Sequence, residues 1–359
     1  MAALDRLLSH DRPRSRWLAA LLLLMALGLA LAPFLFPGSK ALGVAAKVLV
    51  FILLVASYDL LLGYTGIVSF AHTMFFGIGA YGVAVASTRL GEGPGAVLIG
   101  IAVALALSLL LSLLIGLFSL RVRAIFYAMI TLAVASAFQT LASQLSELTG
   151  GEDGLTFRNP SWLSPAFRLV EEPVLGLTID GRVLCYWLIF GVVTLLFLAL
   201  LRVVNSPFGR VLQAIRENDF RAEAIGYRTV VFRTVSGVLS ALLATVAGAL
   251  LALWLRYTGP DTTLSFEIML DILLIVVIGG MGTLYGAVVG SVLFVLAQNY
   301  LQDLLALAAE AAQGIPMLQA LFSPDRWLLW LGVLFVLSVY HFPSGVVGRL
   351  RALAAARRP

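Results

Sequence analysis

One feature recurs from end to end of this chain: uninterrupted apolar runs of about twenty residues, the length that crosses the hydrocarbon core of a bilayer as a helix. LIGIAVALALSLLLSLLIGLFSL, residues 98–120, carries no charge at all. Lipid offers no partner for a bare backbone N–H or C=O, so runs of this length and spacing must satisfy their backbones internally, as helices. The fold class that follows is an all-α polytopic membrane protein. Composition agrees: 61% of the 359 residues are hydrophobic and 12% are charged, against roughly 25% charged in an ordinary soluble domain.

The runs predict ten spans, at about 17–36, 41–62, 66–88, 95–119, 124–146, 183–201, 230–255, 266–280, 284–301 and 326–342. The first follows Arg12, Arg14 and Arg16, and Ala30-Leu31-Ala32 resembles a signal-peptide cleavage site. Its length exceeds that of a signal core, and Pro33 would follow the cut, so it reads as a span. The eighth is short enough for a broken or re-entrant segment. Ten spans place both termini on one side, and that side then holds 16 of the 24 lysines and arginines. They are Arg6, Arg12, Arg14 and Arg16, then Arg121 and Arg123, six arginines from Arg202 to Arg233, and Arg349, Arg351, Arg357 and Arg358. By the positive-inside rule both termini are expected in the cytoplasm. The same distribution accounts for the net charge of +5 without nucleic acid. The expected organisation is a basic N-terminus (1–16), a membrane domain (17–346) and a basic tail (347–359). Within the domain, an external loop spans 147–182 and a cytoplasmic loop spans 202–229.

The external loop is rich in glycine and acids, among them Glu147, Glu152, Asp153, Glu171, Glu172 and Asp180. Its TGGEDG stretch, 149–154, has the glycines of a tight turn. It reads as a solvated connector or as a rim for a substrate-delivering partner. Cys185 stands alone and reads as a small buried hydrophobe, and the three histidines lack metal-ligand spacing.

The cytoplasmic loop breaks the pattern. In SPFGRVLQAIRENDFRAEAIGYRTVVFRTV (206–235), six charged residues fall between Arg210 and Glu223. Ser206 and Pro207 suit the cap and first position of a helix. Phe208, Val211, Leu212 and Ile215 recur at the spacing of one buried face. Glu217 and Arg221 stand four apart in the favourable ion-pair order, and Gly226 is a natural stop. One or two short helices along the membrane surface are expected. A lipid-bound interfacial helix would explain the arginines. It explains Glu217, Asp219 and Glu223 less well, since anionic lipid repels them, whereas mixed signs suit a protein partner.

Ala214-Ile215-Arg216-Glu217-Asn218, with Ala222, Ala224 and Gly226, resembles the coupling loop of ABC importer permeases. Gly63-Tyr64-Thr65-Gly66 with Ser69, His72 and Phe76-Gly77-Ile78-Gly79-Ala80-Tyr81 is similar to the early signature of the branched-chain amino acid permeases of the LivM type. So, in the family's order, are Arg121-Val122-Arg123 with Tyr127 and Thr131, Glu147 through Gly151, Val277 through Thr283, and Arg326-Trp327 with Phe342-Pro343-Ser344-Gly345. The chain departs from that pattern at Asp59, Ala71, Ala124 and Met269, near the expected path.

The resemblance implies a permease working with ABC ATPase subunits, a second homologous permease subunit and an external solute-binding protein. The coupling residues would be Arg216, Glu217, Asn218, Ala222 and Gly226. The chain contains no G-x-x-x-x-G-K-[ST] phosphate loop, so ATP would be bound by the partner and no cofactor by this chain. Branched-chain or other small amino acids are the expected solutes, with urea or short amides as the alternative inside the family. A secondary transporter is the rival outside it, separated by whether uptake depends on ATP or on an ion gradient.

Two glycine clusters, Gly63–Gly66 and Gly279–Gly282, suit broken helices or simple helix–turn–helix connections. Their placement in opposite halves hints at an inverted repeat with substrate at its interface. GIGAYG, 77–82, fits a dinucleotide fingerprint in letters only; within a span its glycines serve close helix packing, as do Gly286 and Gly290. Lys47, Asp59, His72 and Asp271 are ionisable residues inside spans. Each costs roughly 2.5–3.5 kcal/mol near a bilayer centre, so each is expected to face protein or water, with a Lys47–Asp59 ion pair as one reading. Gly63, Gly66, Ser69, His72, Asp271, Gly279 and Gly282 are the candidate path residues. Ser69 and His72 share a helical face but lack an orienting acid, which leaves a hydrolase unsupported.

Overall fold

The structure is a computed structural model describing residues 15–36, 38–119, 124–169, 178–311 and 316–356. Arg6, Arg12, Arg14, Arg121, Arg123, Glu171, Glu172, Arg357 and Arg358 lie outside the described residues. The principal helices are α1 (Arg16–Ala30), α2 (Ser39–Thr65), α3 (His72–Leu90), α4 (Pro94–Ser119), α5 (Ala124–Gln144) and α6 (Gly181–Val204). They continue with α7 (Pro207–Glu217), α8 (Asp219–Ala224), α9 (Thr229–Leu255), α10 (Phe266–Gly279), α11 (Leu284–Ala311), α12 (Trp327–His341) and α13 (Gly345–Ala356). Strand content among the described residues is one two-residue ladder, β1 (Leu155–Thr156) against β2 (Tyr257–Thr258).

Eight helices among the described residues are long and apolar enough to cross a membrane. The two expected spans that fall short do so for different reasons. α1 is apolar but only 15 residues long. α3 has 19 residues, but His72, Thr73, Ser87 and its glycines dilute its apolarity. The chain tolerates that because α3 faces protein: nearly every residue from His72 to Ser87 is buried. A helix surrounded by other helices needs no lipid-facing stripe.

Burial sorts the helices into a centre and a rim. The most apolar stretch of α2 is 78% buried and that of α9 is 61%, against 22% for α4 and α5. The centre therefore consists of α2, α3 and α9, and glycine is what lets them meet. A Cβ on Gly79 of α3 would overlap the Thr245 carbonyl of α9, and one on Gly248 of α9 would overlap the Phe76 carbonyl. Gly82 and Gly100 of α4 face each other somewhat less tightly, a Cβ on either lying under 3 Å from the other's carbonyl oxygen. The GIGAYG glycines are thus packing residues, as their setting predicted, and so are Gly286 and Gly290, pressed against α10 at Gly279 and Ile275.

The two ends of the bundle differ. One carries α7, α8, the α10–α11 turn and the start of α13, and it is called the coupling face below. The far face is built from 146–169, the β1–β2 ladder, the start of α6 and the end of α9. Glycines at 150, 151 and 154 all take positive φ there, as a tightly turning loop requires. That loop is anchored rather than loose, since the Asn159 amide donates to the Leu253 carbonyl at 2.7 Å. Asp180 caps α6 through the Val183 N–H at 2.9 Å.

Candidate functional site

α7 begins at Pro207 with Ser206 in the cap position, as the sequence indicated, but the Ser206 hydroxyl turns back to the Val203 carbonyl at 2.6 Å. Its inner face is Leu212 and Ile215, both essentially inaccessible, with Phe208 stacked on Phe232 at 5.6 Å. Asn218 then leaves helical geometry (φ −159°) and caps α8 by accepting from the Arg221 N–H at 2.9 Å. That break places Glu217 and Arg221 on different helices, so no ion pair joins them among the described residues. The ion pair that forms is Asp219 with Arg233, at 2.8 Å. Ala222 is buried, Glu223 accepts from the Thr229 hydroxyl at 2.6 Å, and Gly226 turns the chain at φ 96°.

Arg216 gives this segment its connection to the membrane domain. Its guanidinium donates to the Gly63 carbonyl, one of the orphan carbonyls at the end of α2 that has no partner inside the helix. One turn earlier on α2, the Asp59 carboxylate accepts from the Gly282 N–H at 2.8 Å. A Cβ on Gly63 would overlap both Asp59 and the Gly282 nitrogen, and one on Gly282 would lie 2.9 Å from the Arg216 guanidinium. Gly66 (φ 72°) and Gly282 (φ 77°) occupy left-handed backbone, open to glycine at little cost. Coupling segment, first glycine break and second glycine break therefore converge on one point. The other Asp59 oxygen is buried and has no hydrogen-bond partner among the described residues.

The two breaks are unlike. The second is a tight turn between α10 and α11, where Gly279 must be bare because the Gly286 carbonyl lies where its Cβ would stand. The first continues as a non-helical stretch, 66–71, that runs back beside α2. At its end His72 Nε2 lies 2.9 Å from the Ser57 hydroxyl and 3.2 Å from the Leu54 carbonyl. Ser57 is eight residues, roughly 12 Å, before the end of α2. The stretch thus re-enters the bundle, and its polar backbone is answered there. Ile67 N–H reaches the Leu61 carbonyl at 3.2 Å, and Phe70 N–H reaches the Thr131 hydroxyl at 3.0 Å. Ser69, His72, Tyr127 and Arg233 line a cavity of about 20 Å³, room for a water molecule. Ser57, not Ser69, partners His72, and no carboxylate orients it among the described residues.

Asp271 belongs to a third place. It accepts from the Gln298 amide at 3.2 Å, and Gln298 in turn accepts from Lys47 at 2.8 Å. Lys47 therefore pairs through Gln298 toward Asp271, not with Asp59, which lies twelve residues or roughly 18 Å along the same helix. The candidate path residues fall into three groups: Gly63, Gly66, Gly279 and Gly282 at the coupling face, Ser69 and His72 in the re-entrant stretch, and Asp271 across the α2–α10–α11 seam. No group of residues suited to hold a metal occurs among the described residues.

Two residues escaped the sequence reading. Phe220 is 82% exposed and Ile225 is 69% exposed, both on the outward side of α7–α8. An apolar pair on a charged surface signals a contact, but linear sequence did not tell which apolar residues of the loop faced inward.

Known proteins match along most of the chain. A sequence model of the family described as "Branched-chain amino acid transport system / permease component" matches residues 40–339. The chain is 24% identical over 302 residues to the high-affinity branched-chain amino acid transport system permease protein LivM of Escherichia coli (strain K12), covering 79% of this chain and 69% of that protein. It is 25% identical over 307 residues to the protein of the same name from Salmonella typhimurium, with the same coverage. A probable branched-chain amino acid transport permease protein LivM from Methanocaldococcus jannaschii is 29% identical over 163 residues, 45% of either chain. No solved structure matches. A helical bundle with the family's blocks in order, and a family match over most of its length, place this chain in the branched-chain amino acid transport permease family.

Proposed function

We propose that this chain is the membrane permease subunit of an ABC importer for branched-chain or other small amino acids. A separate ATPase subunit would grip α7–α8 in the cytoplasm, a second homologous permease subunit would complete the path, and a solute-binding protein would deliver substrate outside. The supporting observation is the two-sidedness of α7–α8. Its inner side is tied to the end of α2 by Arg216, beside the Asp59–Gly282 contact with the α10–α11 turn, while its outer side offers Phe220, Ile225, Glu217 and Arg221 to a partner.

Mechanically, a pull on α7–α8 is transmitted through Arg216 to the last turn of α2, and through Asp59 and Gly282 to the α10–α11 turn. Two breaks that move together can reorient the helices on either side of them. The chain supplies gate and lever; ATP is held and hydrolysed by the partner. A permease for urea or short amides would use the same lever. The decisive experiment is uptake of a labelled solute panel into vesicles holding this chain with its ATPase, second permease and binding protein. ATP-dependent uptake of branched-chain amino acids is expected. Uptake driven by a proton or sodium gradient without ATP would reject the assignment.

A further inference from the structure

The far face holds a site that the lever mechanism does not use. An open cavity of about 750 Å³ is lined by Glu92, Phe157, Arg158, Asn159, Arg256 and Tyr257. It adjoins a pocket of about 160 Å³ walled by Leu163, Pro165, Cys185, Trp254 and Arg182, whose guanidinium lies over the Trp254 ring at 5.2 Å, and the two share Asn159, Leu255 and Arg256.

Asn159 is only 6% exposed. Its amide nitrogen is spent on the Leu253 carbonyl at 2.7 Å, and its Oδ1 has no partner among the described residues. A buried acceptor left unanswered is costly. Arg256 is unusual in a second way. Among the described residues it is the one non-glycine with positive φ (58°), a conformation that strains a residue bearing Cβ and suits glycine. Its carbonyl is held by the Phe157 N–H at 3.1 Å, while its guanidinium makes no hydrogen bond or ion pair among the described residues. The chain keeps an arginine where glycine would sit more easily, and leaves its charged end free at a cavity. Arg158, 3.4 Å from Glu92 in an exposed pair, adds a second guanidinium to the same cavity.

We propose that this cavity receives the zwitterionic head of a free α-amino acid. The guanidinium of Arg256, with Arg158, matches the carboxylate as a planar donor fork. Asn159 Oδ1 and Glu92 accept from the ammonium group. One carbon separates carboxylate from ammonium in an α-amino acid, so a donor and an acceptor must line one cavity, as Arg256 and Asn159 do. The aliphatic side chain enters the smaller pocket against Leu163, Pro165 and Cys185, beside the Trp254 ring that the Arg182 guanidinium covers. A simple carboxylic acid would leave Asn159 unanswered, and a simple amine would leave Arg256 unanswered.

This inference rests on the amino-acid reading above, and two measurements keep them separate. The first is equilibrium binding of labelled leucine to the assembled transporter in nanodiscs, without solute-binding protein or ATP. The second is ATP-driven uptake by the complete system. Saturable leucine binding is expected, with leucine amide and N-acetyl-leucine competing at least 10-fold less well. Arg256→Gly is expected to weaken binding at least 10-fold while the thermal unfolding midpoint stays level or rises, because glycine accepts that backbone. Asn159→Ala should also weaken binding. If uptake is intact but no leucine binds, or if Arg256→Gly binds as wild type, the site is rejected while the transport function stands. If the variants weaken capture of the solute-binding protein and no leucine binds, the cavity takes that protein's carboxylates and the inference fails. Loss of all amino-acid uptake in the wild-type system would instead overturn the functional reading.

Discussion

Arg216 shows what a single residue contributes here. Sequence marked it as part of a partner-facing coupling motif, yet its guanidinium points inward, to the Gly63 carbonyl. A hydrogen bond to a charged donor is worth about 1.5–3 kcal/mol, and in the proposed mechanism it lies between α7–α8 and the helices that this segment would move. Arg216→Ala is therefore expected to cut ATP-driven uptake at least 10-fold while the assembled complex still hydrolyses ATP, measured as solute moved per ATP consumed. An unchanged ratio would remove Arg216 from the transmission. Asp59 deserves the parallel test. Asp59→Leu leaves the Gly282 N–H without its acceptor and should uncouple in the same sense, whereas Asp59→Asn keeps an acceptor oxygen and should retain more transport.

At the scale of elements, α7–α8 and α3 make opposite demands. On the proposed function the outer side of α7–α8 stays soluble until a partner covers it, and Phe220 is its most protruding apolar group. Buried aromatic anchors cost 2 kcal/mol or more on truncation, so Phe220→Ala should weaken co-purification with the ATPase roughly 30-fold or more. If lipid alone covers Phe220, that variant will retain the ATPase and lose membrane-surface contact only. α3 lives by close approach. Gly79→Ala forces a methyl into the Thr245 carbonyl of α9 and is expected to cost about 1–3 kcal/mol, read as a lower unfolding midpoint in detergent. The element boundaries were largely legible because apolar runs are long and their interruptions chemically abrupt. The span expected at 66–88 was not drawn correctly: residues 66–71 are non-helical and the helix starts at His72. Nothing local reveals that Phe70 will find the Thr131 hydroxyl on another helix, and without such a partner the stretch could not lie inside the bundle.

For the molecule as a whole, the topology sets Arg158, Arg182 and Arg256 at one end and Arg210, Arg216, Arg221 and Arg228 at the other. The second group is expected in the cytoplasm. With Cys185, the chain's one cysteine, replaced by serine, a cysteine introduced at position 220 should react only with membrane-permeant reagents in intact cells. One introduced at position 158 should react with impermeant ones. The reverse pattern would place α7–α8 outside and defeat the lever.

The apolar runs alone determined a helical membrane bundle, because lipid forbids unpaired backbone, and the charge-rich interruption alone marked where a partner could act. Contact between the two glycine breaks, the inward aim of Arg216, the outward aim of Phe220 and the pairing of Lys47 toward Asp271 rather than Asp59 were decided only in three dimensions. Each depends on which helices become neighbours, and that is set by glycine-sized gaps between α2, α3 and α9 summed over the whole bundle. No stretch of twenty residues contains that information.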